Sequence, residues 1–466
     1  MPAPRSFNAK QLLLGCSRFD LIVKYCYLAN EERYGTQTKF FENLYLEHIR
    51  AFNNFYEEMP RKVTGEDFVA HFRDNLYRIR NEGFDPSVSC ISVDNNLQLT
   101  DGAHRLSICA FLDKDIAAIV DPVNENYDYA FFQRNGIDSN TADYAALEYV
   151  KLCPEPYIVS IHSVVPGSFD TAIEEILKRY GLVFYKKEAE LTFNGYVNLK
   201  IVSYGSDAGG RSWLGNIWND FHGAKEHARK SMGNDPFRCY VFICKSLELV
   251  VAAKREIREL IGIGNYSVHI NDSKPEALAL AQALFNTNSL EFLNARPYDL
   301  STSSLDARVE KLRLLCELNH IDTDSVCVAG SGAMGALGLR ESQDLDFLHC
   351  QDNSPDTGDV NIASHESELR YYPLSKVELI QNPNYYFYYG GLKFITIDVL
   401  YAMKIKRAEI PKDIADLKII DDFRVSVPPF AVRRKRQSWA DRIKKQVYRT
   451  EDWLYRKKKW IQSIFR

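Results

Sequence analysis

Residues 325–347 read SVCVAGSGAMGALGLRESQDLDF, and the C-terminal third of the chain is best understood outward from them. Ser325 to Ala329 is a short β-rich run, Gly330-Ser331-Gly332 is a turn, and Leu345 to Leu348 returns as a strand. Residues two apart on a strand share a face, so Asp344 and Asp346 project together. A third carboxylate, Asp398, follows about fifty residues later on a run read as a strand from Phe394 to Val399. Phosphoryl-group chemistry needs such carboxylates, because a triphosphate is too negative for a nucleophile to approach unaided and Mg²⁺ prefers carboxylate oxygens plus substrate phosphates. Asp398 is placed to complete the metal site and to activate the acceptor. The glycines Gly330, Gly332 and Gly335 admit phosphate oxygens close to the backbone, and the Ser331 hydroxyl can donate to one of them.

The surrounding elements extend this unit. A helix from Leu305 to Asn319 precedes it, a further strand is expected at Lys376 to Ile380, and a helix from about Leu400 to Arg407 follows Asp398. The Gly-Ser turn, the run GALGLRESQDLDF, the third Asp flanked by Thr396-Ile397 and Val399-Leu400, and the segment KIKRAEIPKDIADLKII occur in that order. Together they resemble the nucleotidyltransferase superfamily that includes DNA polymerase beta, over about residues 305–425. The resemblance implies a mixed-sheet domain in which Asp344, Asp346 and Asp398 hold two Mg²⁺ or Mn²⁺ ions. Gly330 and Ser331 would grip a nucleoside triphosphate. Lys404, Lys406, Arg407 and Lys412 would neutralise its phosphates, with Asp413 and Asp416 orienting these cations. Twelve residues separate Ser331 from Asp344, at the long end for that superfamily.

A second phosphate-handling signature lies near the N-terminus. Leu99-Thr100-Asp101-Gly102-Ala103-His104-Arg105-Leu106 falls between a strand and a helix, where free N–H groups and the helix dipole favour an anion. His104 and Arg105 add cationic donors there. The segment resembles the Asp-Gly-x-x-Arg turn of the ParB/sulfiredoxin fold, whose members include nucleotide-hydrolysing partition proteins, sulfiredoxins and free-serine kinases. That resemblance implies phosphate binding by Asp101, Gly102, His104 and Arg105. The reactive cysteine of sulfiredoxins is replaced by Ala103, which argues against peroxiredoxin repair. For a kinase of this fold the base would be a glutamate near the N-terminus, for which Glu42, Glu57 and Glu58 are available. The plainer reading is that Asp101 caps the helix and Arg105 pairs locally.

The rest of the chain is less specific. Asp121 to Asp143, rich in Asn and Asp, reads as a linker, and residues 155–300 as a middle α/β unit of open role. In the middle unit Lys254, Arg255, Arg258 and His269 either bind an acidic group or belong to an ordinary charged helix beside a buried strand. The ten cysteines show no C-x-x-C pair and read as buried hydrophobes in a reducing compartment. No apolar run reaches the roughly 18 residues of a membrane span, and the start MPAPRSFNAK lacks a signal sequence, so a cytoplasmic protein is expected. The formal net charge of −4 hides a tail, residues 431–466, with thirteen Lys/Arg against three acidic residues. Trp439, Ile443, Val447 and Leu454 form an apolar stripe on it, the pattern of a basic amphipathic helix lying on an anionic membrane. The acidic body makes nucleic acid an unlikely partner.

These readings combine into an α/β (α+β) multidomain chain. Residues 1–125 would form the ParB/sulfiredoxin-like unit, 155–300 the middle domain, 305–425 the nucleotidyltransferase-like domain and 430–466 the tail. The expected activity is metal-dependent nucleotidyl or phosphoryl transfer to a small sugar, polyol or lipid-linked acceptor in surface-polysaccharide assembly. The alternatives are a small-molecule kinase working in the N-terminal unit and a nucleotide-binding scaffold without turnover.

Overall fold

The structure is a computed structural model that describes residues 4–87, 89–121, 127–205, 212–300, 303–351, 358–407 and 411–426. The basic tail therefore lies outside the described residues. The chain divides into two compact units, Met1–Leu400 and Tyr401–Arg466. The architecture of the first is mixed α/β, built on three sheets. Among the described residues no helix is long and apolar enough to cross a membrane.

The first sheet joins β1 (Arg5–Asn8), β2 (Ile91–Val93), β3 (Leu99–Asp101) and β4 (Asp115–Val120) in the order β1-β4-β2-β3. Only β2 and β4 run parallel within it. The second sheet, wholly antiparallel, contains β5 (Pro156–Ile161), β6 (Gly181–Ala189), β7 (Phe237–Cys244) and β8 (Val268–Ile270) in the order β6-β7-β5-β8. β5 and β8 are buried along their whole length, since helices cover the sheet. The third sheet holds β9 (Val326–Val328), β10 (Leu345–His349), β11 (Ile362–Ser364), β12 (Tyr386–Tyr389) and β13 (Leu392–Ile395), ordered β11-β10-β9-β13-β12. It is mixed: β9 pairs antiparallel with β10 and parallel with β13.

Three expectations fail for one physical reason, side-chain capping. Lys376 to Ile380 is no strand; it opens the helix Lys376–Gln381, because the Ser375 hydroxyl accepts from the Glu378 amide at 3.1 Å. The strand read to Val399 stops at Ile395, and the helix Ile397–Arg407 starts where Thr396 Oγ1 accepts from the Val399 amide. Asp398 is thus in the first turn of a helix and not on a strand, a position a carboxylate favours through the helix dipole. The stretch Asp121 to Asp143 is largely helical where described, since Asp128 and Asp138 cap the helices Tyr129–Arg134 and Ser139–Leu152. Acidic residues that suggested a linker are the caps of two helices.

Within the first unit the sheets interlock. Phe184 of β6 stacks on Tyr149 at 3.6 Å between centroids and on Phe19 at 5.4 Å. Lys151 Nζ lies 2.7 Å from Asp324, which also receives the Tyr388 hydroxyl at 3.2 Å. In the second unit, Lys404, Asp413 and Asp416 form a buried ion cluster, described below with the site residues.

Candidate functional site

Strand direction gathers the C-terminal candidates. Because β10 is antiparallel to β9 and β13 parallel to it, the end of β9, the start of β10 and the end of β13 share one sheet edge. The Gly330-Ser331 turn, Asp344, Asp346 and the helix bearing Asp398 all leave from that edge. Gly330 adopts φ +58°, and a Cβ placed there would come within 2.7 Å of Asp346 Oδ2. Only glycine lets the turn lie against that carboxylate. The Ala329 amide donates to the Asp346 carbonyl at 2.8 Å, locking the turn's strand to β10.

Ser331 is buried, and its Oγ faces inward, 3.4 Å from Asp344 Oδ1 and 3.3 Å from Ser342 Oγ. Ser342 in turn donates to the Asp344 carbonyl at 2.6 Å. Behind Asp346 stands His365, whose Nδ1 is 3.4 Å from Oδ2, and beside it Tyr372, whose hydroxyl accepts from the Gly330 amide at 3.4 Å. Neither His365, Ser342 nor Tyr372 is marked by local sequence; only Ser342, two residues before Asp344, carries even a spacing cue.

The donor chemistry suits a hard cation. Asp344 and Asp346 are both half-buried at the edge, and Asp346 Oδ2 sits in a cradle that any Cβ at Gly330 would fill. Among the described residues no group of three or more His, Cys, Asp or Glu side chains is arranged to hold a metal ion. Asp398 stands in the first turn of the helix Ile397–Arg407, which follows β13. Mg²⁺ is commonly bound through one or two carboxylates plus substrate phosphates and water, and Asp344 with Asp346 supplies that.

Lys404 and Arg407 belong to the second unit, where both are committed. Lys404 Nζ lies 2.9 Å from Asp413 and 2.7 Å from Asp416, and Arg407 grips Asp413 through Nε and Nη2 at 2.8 and 2.9 Å. Burial opposes ionisation of Asp413, yet the two cations outweigh it and hold the carboxyl at about 2.

The N-terminal candidates line a cavity of about 760 Å³. Gly102 turns the chain at φ +94°, where a Cβ would strike Ile91 Cγ2 at 2.5 Å, and the helix Ala103–Phe111 begins directly after it. Arg105 donates to Asp101 at 2.9 Å and to the Cys90 carbonyl at 3.1 Å, so local pairing is realised. Asp101 makes no side-chain cap; the N-cap is Gly102. His104 Nε2 meets the Tyr45 hydroxyl at 2.9 Å, and burial together with Lys24, His48 and Lys62 keeps its pKa well below the ordinary value. It is therefore a neutral group and not the cation expected from the sequence.

Sequence reasoning missed the floor of this cavity. Asp20, 1% exposed, takes Arg18 at 2.8 Å and Lys24 at 2.5 Å, and Lys24 also reaches His48 Nε2 at 3.0 Å. Desolvation lowers Lys24 to about 8 despite Asp20 beside it. Of the three glutamates, only Glu57 lines the cavity, paired with Lys62 at 2.9 Å. Glu42 pairs with Lys39 and Arg73, and Glu58 with the Tyr56 hydroxyl.

In the middle sheet, Lys254 and Arg258 donate to the carbonyls of Ile270 and Val268 at 2.9 and 3.3 Å. They cover the outer edge of β8, and His269 is buried against Glu276 at 2.6 Å. That is the arrangement of a charged helix serving a buried strand. Comparison with protein-family models, with curated proteins and with solved structures finds no match to the chain.

Proposed function

We propose that this chain transfers a nucleotidyl or phosphoryl group from a nucleoside triphosphate, using the edge formed by Gly330, Ser331, Asp344, Asp346 and Asp398. The observation that carries the reading is the packing of a positive-φ glycine turn directly on the second Asp of an Asp-x-Asp pair. Mg²⁺ or Mn²⁺ held by Asp344 and Asp346 would supply charge neutralisation at the phosphates. Gly330 gives the phosphate chain access to the backbone, Ser331 and Ser342 hold Asp344 from within, and Asp398 on its helix orients the acceptor hydroxyl. The acceptor we favour is a sugar, polyol or lipid-linked intermediate of surface-polysaccharide assembly, with the basic tail resting on an anionic membrane.

A second reading, a small-molecule kinase in the N-terminal unit, draws on the cavity beside Gly102 and on Glu57 as its base. Substituting Asp346→Asn and Asp101→Asn separately in the full chain distinguishes the two, with turnover of each nucleoside triphosphate as the readout. Loss of at least 10²-fold in Asp346→Asn alone supports the C-terminal edge. Loss in Asp101→Asn alone transfers the chemistry to the N-terminal cavity.

A further inference from the structure

We infer that His365 is a positioning residue that clamps the Asp346 carboxylate; the inference rests on the reading of the Gly330–Asp346 edge as a metal-dependent transfer site. β11 runs parallel to β10 with Asp346 opposite Ala363 and Phe347 opposite Ser364. The His365 amide then donates to the Phe347 carbonyl at 2.8 Å, extending the ladder by one residue. This places the ring against the carboxylate one step back along β10, with Nδ1 3.4 Å from Asp346 Oδ2. The contact is long for a hydrogen bond and lies within reach of a small carboxylate rotation.

His365 is 6% exposed, so its ring is chosen by its surroundings and not by solvent. A carboxylate oxygen accepts, so the clamp is made through a proton on Nδ1. That leaves Nε2, which is buried and has no partner among the described residues. Leaving a buried polar atom unpaired is unfavourable. A histidine that merely filled space would be replaced at less cost by an apolar ring. Tyr372 stands edge-on to the imidazole at 5.9 Å and receives the Gly330 amide, so His365 and Tyr372 form a common rear wall for Asp346 and the turn. Asp346 Oδ2 is enclosed between the Gly330 backbone and this wall. Hydrogen bonds behind a metal-ligating carboxylate fix its rotamer and raise metal affinity, commonly by 10–100-fold.

The test is a Mn²⁺ titration of the full chain, followed by electron paramagnetic resonance, with wild type, Asp346→Asn, His365→Phe and His365→Asn. Asparagine keeps an N–H close to the place of Nδ1; phenylalanine keeps only the ring volume. The expected result is that Asp346→Asn and His365→Phe each weaken Mn²⁺ binding at least 10-fold, while His365→Asn recovers most of it. If Asp346→Asn weakens binding and His365→Phe binds as wild type, the clamp is overturned while the edge stands. If Asp346→Asn leaves Mn²⁺ affinity unchanged, the edge reading and the clamp fall together. Should His365→Phe not fold, the ¹⁵N shifts of the wild-type imidazole decide: a proton on Nδ1 supports the clamp, and a ring protonated on Nε2 alone overturns it.

Discussion

Gly330 is the residue on which the C-terminal edge depends. Its φ of +58° disfavours any side chain, and the 2.7 Å approach to Asp346 Oδ2 adds a clash that must move the carboxylate. Gly330→Ala should therefore lower stability by about 1–3 kcal/mol and reduce turnover more than that strain alone would. Thermal melts with parallel kinetics check this, and a variant with wild-type turnover contradicts it. Single residues were also where the sequence was most informative. Asp346 lies on β10 as its spacing suggests, whereas Asp344 stands in the bend just before the strand begins. His365, by contrast, reaches Asp346 only through the register of β11, sixteen or more residues away in sequence, and nothing local in that stretch announces it. His104 reads as a cation in sequence and is neutral in place, because tertiary folding buries it and brings Lys24, His48 and Lys62 from distant segments around it.

Elements obey their caps before their β-branched content. Thr396, Ser375, Asp128 and Asp138 each start a helix where hydrophobic alternation or polar composition suggested a strand or a linker. The core strands β9 and β10 were legible from short apolar runs, whereas the pairing of β10 with β9 and β11 was not, since register is a tertiary property. In the second unit, the helix Pro411–Ser426 supplies Asp413 to Lys404 and Arg407. Its folded carboxyl, at about 2, lies below the ordinary 3.8, so the stabilisation is complete above pH about 4 and is lost as pH falls toward 2. Asp413→Asn should remove roughly 1–2 kcal/mol of stability at pH 6 and flatten the decline between pH 4 and 2. Circular dichroism melts across that range measure both effects, and an unchanged slope contradicts the assignment.

At the scale of the molecule, the first unit is joined through shared ionic contacts around the half-buried Asp324. Asp324, from the segment before β9, meets Lys151 at 2.7 Å and Lys393 of β13 at 3.7 Å, and both lysines hold its carboxyl below its usual range. Removing Asp324 takes a partner from the buried Lys393, at a cost of about 1–3 kcal/mol. Asp324→Ala should accordingly lower the melting temperature of the whole first unit in one transition, which calorimetry would show; a loss confined to a separate minor transition would mean that the third sheet folds independently. The central claim concerns chemistry at the Gly330–Asp346 edge. It is tested most directly by incubating the full chain with Mg²⁺, each of ATP, CTP, GTP and UTP, and a bacterial metabolite and lipid extract, and following phosphorus products by ³¹P NMR. The account predicts pyrophosphate or nucleoside diphosphate that disappears in Asp344→Asn and Asp346→Asn and persists in Asp101→Asn. Product that persists in both edge variants, or that vanishes only when Asp101 is changed, would contradict it.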